Sequence, residues 1–350
     1  MQDELRARAG AQGGVFTTRD VTRAGISPAQ RVTLLSSGDW VTLRRGVYAE
    51  RRLAEACHAD PRAWHALGAA VALAARQPAF ASGVSAACVL GLEVLGRPAS
   101  VISLTRPAET WASNGGRSGA LRMLSAALPS AHRFRHGGVP TTAVARTVVD
   151  VARCLPMRDA VVVADSAMRL YGVSRADLRE VLREERDWPG SMAAWSALEQ
   201  ADPRSESVLE TVGRLSCVAH GLPRPLSQVW LGEDRPEIRV NFYFPQFRTV
   251  GEADGRVKYT NPRVLWEEKK RQDRLGDIGF EVVRFDNNDA TRDGGGLAAR
   301  FLRAFGRGAT GTGRTFEDPY WWIAGRIAAW DDRWDAADAE LAWWLRRLGR

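Results

Sequence analysis

The residues best suited to chemistry lie in the stretch Arg239–Phe285, which begins RVNFYFPQFRTVGEADGRVKY, runs on through LWEEKKRQDRL and ends in EVVRF. Two alternating runs, Arg239–Phe244 and Thr249–Ala253, are separated by a turn at Pro245-Gln246. They predict a hairpin that delivers Asn241, Glu252 and Asp254 towards one another. A charged helix and a further strand follow. Polar groups converging at adjacent strand ends, beside a helix rich in Lys and Arg, are what a metal-dependent phosphodiesterase needs. Carboxylates hold Mg²⁺ while phosphate and water complete its octahedron. A nearby Lys stabilises the charge that develops on the phosphate.

The chain that must position these groups has 350 residues, enough for two or three domains. An apolar fraction of 45% and a charged fraction of 26% are those of a globular protein with ample material for packed cores. No run of about 18 uncharged apolar residues occurs, so no membrane span is expected. The start, MQDELRARAGAQ, is polar where a signal peptide has an apolar core, and the expected location is the cytoplasm. Cys57, Cys88, Cys154 and Cys217 lie far apart without metal-type spacing and read as free buried thiols in a reducing compartment. A net charge of +8 and a pI of about 9.8 permit nucleic-acid binding without demanding it.

Residues 1–50 read as a compact unit. Leu5–Ala11 is a short first helix. Thr17 followed by Asp20 is a capping-box-like start for a second, which Gly25 ends. Ser27 caps a third, with Pro28 in its first turn and Gly38 after it. Two short helices joined by a tight Gly-containing turn are the signature of a helix-turn-helix. DWVTLRRGVYAE then reads as two strands around Arg44-Arg45-Gly46, a basic wing. In a winged helix the third helix enters the major groove, so Ser27, Gln30 and Arg31 would face base edges. Arg44 and Arg45 would meet phosphate or the minor groove. A small helical domain for protein contacts is the alternative. Residues 13–50 also resemble the N-terminal domain of AbiEi-type antitoxins of type IV toxin–antitoxin systems, most specifically in the ending GIS…L…G.W..L.RGVY. The resemblance implies a winged helix that represses its own operon and a nucleotidyltransferase-like toxin as partner.

Residues 53–200 are Ala-rich and mostly helical with short strands. LGAAVALAARQ, SAACVLGLEVLG, VARTVVDVARCL and DAVVVADSAMRLYG have helical periodicity, and VISLT is a buried-type strand. SAACVLGL and TTAVARTVVDVAR resemble the middle region of actinobacterial AbiEi-like proteins. Asp150 and Asp165, each inside an Arg-flanked helix, read as structural ion pairs. The region serves as scaffold or dimer surface, which leaves a homodimer open. Gly190 and EQADPRSES mark a boundary near residue 200. After the flexible linker GRGATGTG, residues 314–350 form a Trp-rich helical tail whose apolar face should dock on protein. A membrane surface is disfavoured for it by Asp331, Asp332, Asp335 and Asp338.

Residues 201–307 resemble the very-short-patch-repair-like branch of the PD-(D/E)XK nucleases, on Glu210 in SVLETVGRL, RVNFYF, GEADGRVKY and EKKRQDRLGDIGFEVVRF. The resemblance implies a restriction-endonuclease-like α/β domain. It makes Glu252 a metal ligand and puts Asp254 at the position of the family Lys, with Lys258 returning that charge. Glu210, and with less weight Glu206, becomes the helix carboxylate. Lys269, Arg271 and Arg274 lie on the next helix, facing the nucleic-acid backbone or solvent. The sequence departs at Asn241, where the family has the Asp that is its central metal ligand. An amide oxygen lacks the full negative charge, and Mg²⁺ sites rely on only one or two protein carboxylates. Glu237 could substitute only if its strand end bends inward.

The expected fold class is therefore multidomain α/β (α+β): a winged helix-turn-helix at 1–52, a mostly helical middle domain at 53–200, the nuclease-like domain at 201–307 and the tail. The expected function is a DNA-binding transcriptional regulator of the antitoxin type carrying a degenerate nuclease fold. Double-stranded DNA is its partner, with no membrane and no cofactor for DNA binding. An active Mg²⁺-dependent endonuclease in defence or repair is one alternative, with Glu252 and Asp254 on the metal. A protein-interaction module docking through the tail is the other.

Overall fold

Short capped helices and brief strands build this chain, and in a computed structural model they give a mixed α/β architecture. The structure describes residues 3–74, 78–108, 117–118, 120–231, 238–255, 273–277 and 279–310. Among these the strands form three sheets, of three, four and six strands. Two compact units divide between Glu199 and Gln200. No helix of the described residues is long and apolar enough to cross a membrane.

The first unit opens with helices Asp3–Gly10, Thr18–Arg23 and Pro28–Ser36 and a sheet ordered Val15–Thr17, Val47–Glu50, Trp40–Arg44. Local chemistry explains each helix start. Thr17 Oγ1 accepts from Asp20 N–H while the Asp20 carboxylate accepts from Thr17 N–H. Burial alone would raise the Asp20 pKa, but bonds to its carboxylate from the Thr17 N–H, the Thr17 hydroxyl and Gln12, with the Arg8 charge, hold it below the ordinary value. Ser27 and Gln30 form the same reciprocal cap, with Pro28 in the first turn. Leu5, Phe16, Val21, Ile26, Trp40 and Tyr48 fill the core, with the Phe16 and Trp40 rings edge-on at 4.7 Å.

Val15 and Val47 carry the opposite face of that sheet into a second core with Leu67, Leu73, Ala81, Leu104 and Val139. Around this core the strands are ordered Arg117–Ser118, Leu121–Ala126, Ile102–Pro107, Phe80–Ala81, Val139–Thr142, Arg133–His136. Helices Arg51–His58, Pro61–Leu73, Gly83–Val89, Val144–Cys154, Met157–Tyr171, Arg175–Glu184 and Ser191–Leu198 also belong to the unit.

A buried charge cluster ties helix Val144–Cys154 to the end of helix Arg175–Glu184 and the turn that follows it. The Arg146 guanidinium, 2% exposed, lies 2.6 Å from Glu185, which is 1% exposed, and 3.1 Å from Asp150. Arg153 reaches both acids, at 3.3 and 3.1 Å. The Trp188 ring lies between the two guanidiniums, at 4.7 and 4.8 Å. Burial, then the neighbouring Asp150 charge, push Glu185 up to about 7, and burial raises Asp150 as well. His132 lies at the cluster's edge, 3.2 Å from Glu184; burial and Arg146 hold its pKa down. Asp150 is thus a structural ion pair, as its Arg-flanked helix suggests. Cys154, expected to be buried, is exposed as the last residue of helix Val144–Cys154.

The second unit begins in the polar run around residue 200. Asp202 is buried, paired with Arg204 at 2.9 Å and accepting from Ser227 Oγ at 3.0 Å. Burial would raise its pKa, yet Arg204, Arg214 and Arg224 hold it far below the carboxylate range. Helix Val208–Ala219 follows, then four strands in chain order: Leu226–Leu231, Ile238–Phe244, Thr249–Ala253 and Glu281–Phe285. The first three pair antiparallel and the fourth runs parallel to the third. Phe242 stacks on Phe285 at 5.4 Å, and helix Gly294–Thr310 brings Phe301 and Phe305 onto Phe244 at 5.0 and 4.9 Å.

Candidate nucleic-acid interface

In the winged helix the outward residues are set by what the core takes. Helix Pro28–Ser36 has no fully buried residue; Leu34 and Leu35 lean on the core and Ser27, Gln30 and Val32 are exposed. Arg31 is half-buried. The two residues expected at base edges beside it carry a structural duty. Gln30 Oε1 accepts the Ser27 N–H at 2.8 Å, and Ser27 Oγ accepts the Gln30 N–H at 3.2 Å. The cap thus engages the Gln30 amide oxygen at the helix end and not its amide nitrogen.

The wing is a tight hairpin. Arg44 pairs with Val47 across Arg45-Gly46, and Gly46 has φ +77°, a backbone that glycine adopts without strain. Arg44 and Arg45 are exposed. Among the described residues no hydrogen bond or ion pair engages the side chains of Arg31, Arg44 or Arg45, whereas Arg6 and Arg8 are paired with Asp3 and Glu4. Unpaired guanidiniums are available to phosphate oxygens.

In the second unit the predicted hairpin forms, with Pro245–Phe247 as its turn. Asn241, Glu252 and Asp254 do come to neighbouring positions, but their polar atoms are taken up by the fold. The last ladder pair of the hairpin is Phe242–Gly251; beyond it, Asn241 Oδ1 accepts the Ala253 N–H at 2.9 Å. Glu252 is buried and in register with Arg284. Asp254 lies two residues on, hence on the same side of the strand. Its carboxylate is 3.3 Å from Arg284 Nη1, and its N–H donates to Phe285 O. Glu210 caps its own helix: it accepts from Glu206 N–H at 2.9 Å, from Ser207 Oγ at 3.0 Å and from Gln228 Nε2 at 2.8 Å. Glu206 is paired with Arg239 at the surface.

Gln228 and Arg284 are the partners that sequence reasoning missed. Pairs Ser227–Phe242 and Val229–Val240 place Gln228 across from Asn241. Its φ of +55° costs a non-glycine residue about 1–2 kcal/mol and leaves no local sequence signal. Arg284 was legible in principle, since the alternation of EVVRF carries it to the carboxylate side of the neighbouring strand.

Among the described residues no group of three or more His, Cys, Asp or Glu side chains is placed to hold a metal ion. Asn241 is thus bonded to backbone, Glu210 to its own helix end and Asp254 to Arg284. Arg274 is exposed in the helical segment 273–277. Glu237, Lys258, Lys269, Arg271 and the Trp-rich tail lie outside the described residues.

Residues 3–51 match the family described as "Transcriptional regulator, AbiEi antitoxin". That span holds the three helices and the wing. Two uncharacterized proteins of Mycobacterium tuberculosis, from strains CDC 1551 / Oshkosh and ATCC 25618 / H37Rv, are each 33% identical over 174 residues. The matched stretch is 49% of this chain and 64% of each relative.

Proposed function

We propose that the protein is a DNA-binding transcriptional regulator of the antitoxin type, which docks its winged helix on duplex DNA. The observation that carries this reading is the set of unpaired guanidiniums, Arg31, Arg44 and Arg45, on the third helix and wing of a domain matching an antitoxin regulator family. The third helix would lie in the major groove, with Arg31 and the Gln30 amide nitrogen at base edges. Arg44 and Arg45 would meet the backbone or minor groove. A toxin encoded beside it is the partner that such a regulator implies.

The second unit we read as a nuclease-like scaffold without strong catalysis. Its helix followed by strands, with Glu252 on the third and Asp254 just after it, supports the scaffold; the engagement of Asn241 by Ala253 supports the loss of the metal site. Binding to a duplex from upstream of its own gene, and its loss in Arg31→Ala or Arg44→Ala/Arg45→Ala, tests the regulator. Binding that survives both variants overturns it.

A further inference from the structure

The wing is fastened to the second helix, and that attachment widens the basic surface. Thr18, the first residue of helix Thr18–Arg23, donates its N–H to Gly46 O at 2.9 Å, at the tip of the wing. Thr18 Oγ1 adds contacts to Gly46 O at 3.5 Å and to the Tyr48 hydroxyl at 3.4 Å. Arg19 is next in the chain after Thr18, whose amide meets the wing at Gly46, the residue after Arg45. Arg23 is one helical turn further on the same face. Both are exposed, while Asp20 and Val21 fill the inward side of the helix. Among the described residues neither Arg19 nor Arg23 has a hydrogen bond or ion pair from its side chain. The carboxylates nearest in sequence are occupied: Asp20 caps the helix and Asp39 accepts from Ser37 Oγ at 2.7 Å.

We infer that Arg19 and Arg23 form a second phosphate-binding row, held to the wing arginines by the Thr18–Gly46 bond. With Arg44 and Arg45 they would grip the backbone of the same duplex whose bases the third helix reads. This rests on the DNA-binding reading above. Charge complementarity to a polyanion is the basis, and contacts of this kind carry no sequence information.

The test compares the full chain with Arg19→Ala/Arg23→Ala, Arg44→Ala/Arg45→Ala and Arg6→Ala, whose arginine already has Asp3. Fluorescence anisotropy follows two duplexes over a range of salt, one from upstream of the gene and one scrambled. Each lost phosphate contact lowers the slope of log K against log salt by about 0.9. Arg19→Ala/Arg23→Ala should lower it by about 1.8, weaken both duplexes alike and leave their affinity ratio unchanged. Arg6→Ala should leave the slope as it is. A lower slope in the wing variant with none in Arg19→Ala/Arg23→Ala overturns this inference alone. No binding of either duplex by the natural protein overturns the regulator reading and the inference with it.

Discussion

Replacing Asn241 by Ala should expose one backbone hydrogen to solvent exchange, and the magnitude follows from the local geometry. Just past the strand Thr249–Ala253 the amide of Asp254 faces the parallel neighbour, donating to Phe285 O. By alternation the Ala253 amide faces the other way, towards Ile238–Phe244. The regular ladder has ended at Phe242–Gly251, so the Asn241 side chain supplies the acceptor, at 2.9 Å. Ala253 is buried. Removing the acceptor leaves a buried N–H unpaired, at a cost of about 1–3 kcal/mol. That converts to opening of the Ala253 amide roughly 5- to 140-fold more often. Asn241→Asp keeps an oxygen in place, and an ionised one accepts at least as well. Hydrogen exchange read at the Ala253 amide should therefore quicken in Asn241→Ala and stay close to the natural rate in Asn241→Asp. Equal rates in all three proteins, or equal acceleration in both variants, would refute the claim that this amide serves the backbone.

Other outcomes follow from the same structure. A methyl added at Gly213 would lie 2.4 Å from the Phe285 ring, so Gly213→Ala should destabilise the second unit by about 1–3 kcal/mol in urea unfolding; an unchanged midpoint contradicts that packing. Glu185 is held near 7 against an ordinary 4.5, so its contribution is full below about pH 4.5 and lost as pH rises through about 7, at most about 3 kcal/mol. His132, with its pKa held down, acts in the opposite sense and loses its contribution on acidification. Glu185→Gln should flatten the fall in unfolding free energy between about pH 5 and 8, and an unaltered slope contradicts the assignment. The natural protein and Glu252→Ala should leave plasmid equally intact with Mg²⁺ or Mn²⁺; cleavage that vanishes in Glu252→Ala contradicts the reading of a lost site.

What was legible in the sequence was short-range. The caps Thr17/Asp20 and Ser27/Gln30 and the wing turn at Arg45-Gly46 are written in neighbouring residues, so three helices and a hairpin followed directly. The six-stranded sheet was not, because its central strand, Phe80–Ala81, is two residues long and pairs with residues far along the chain at Thr105 and Thr141. No periodicity survives in so short a run. In the second unit the positions of Asn241, Glu252 and Asp254 could be foreseen, but not what they bond. Gln228 reaches Glu210 through a positive φ, and Arg284 reaches Asp254 through a parallel pairing set by the fold. The carboxylates were visible; the groups that occupy them were not.

The most direct test of the account is the salt dependence of duplex binding by the natural protein against Arg44→Ala/Arg45→Ala. Binding to DNA from upstream of its gene should weaken steeply with salt, and the double variant should bind more weakly with a slope lower by about 1.8. Binding independent of salt, or an identical slope in the variant, would contradict the assignment of this winged helix to DNA.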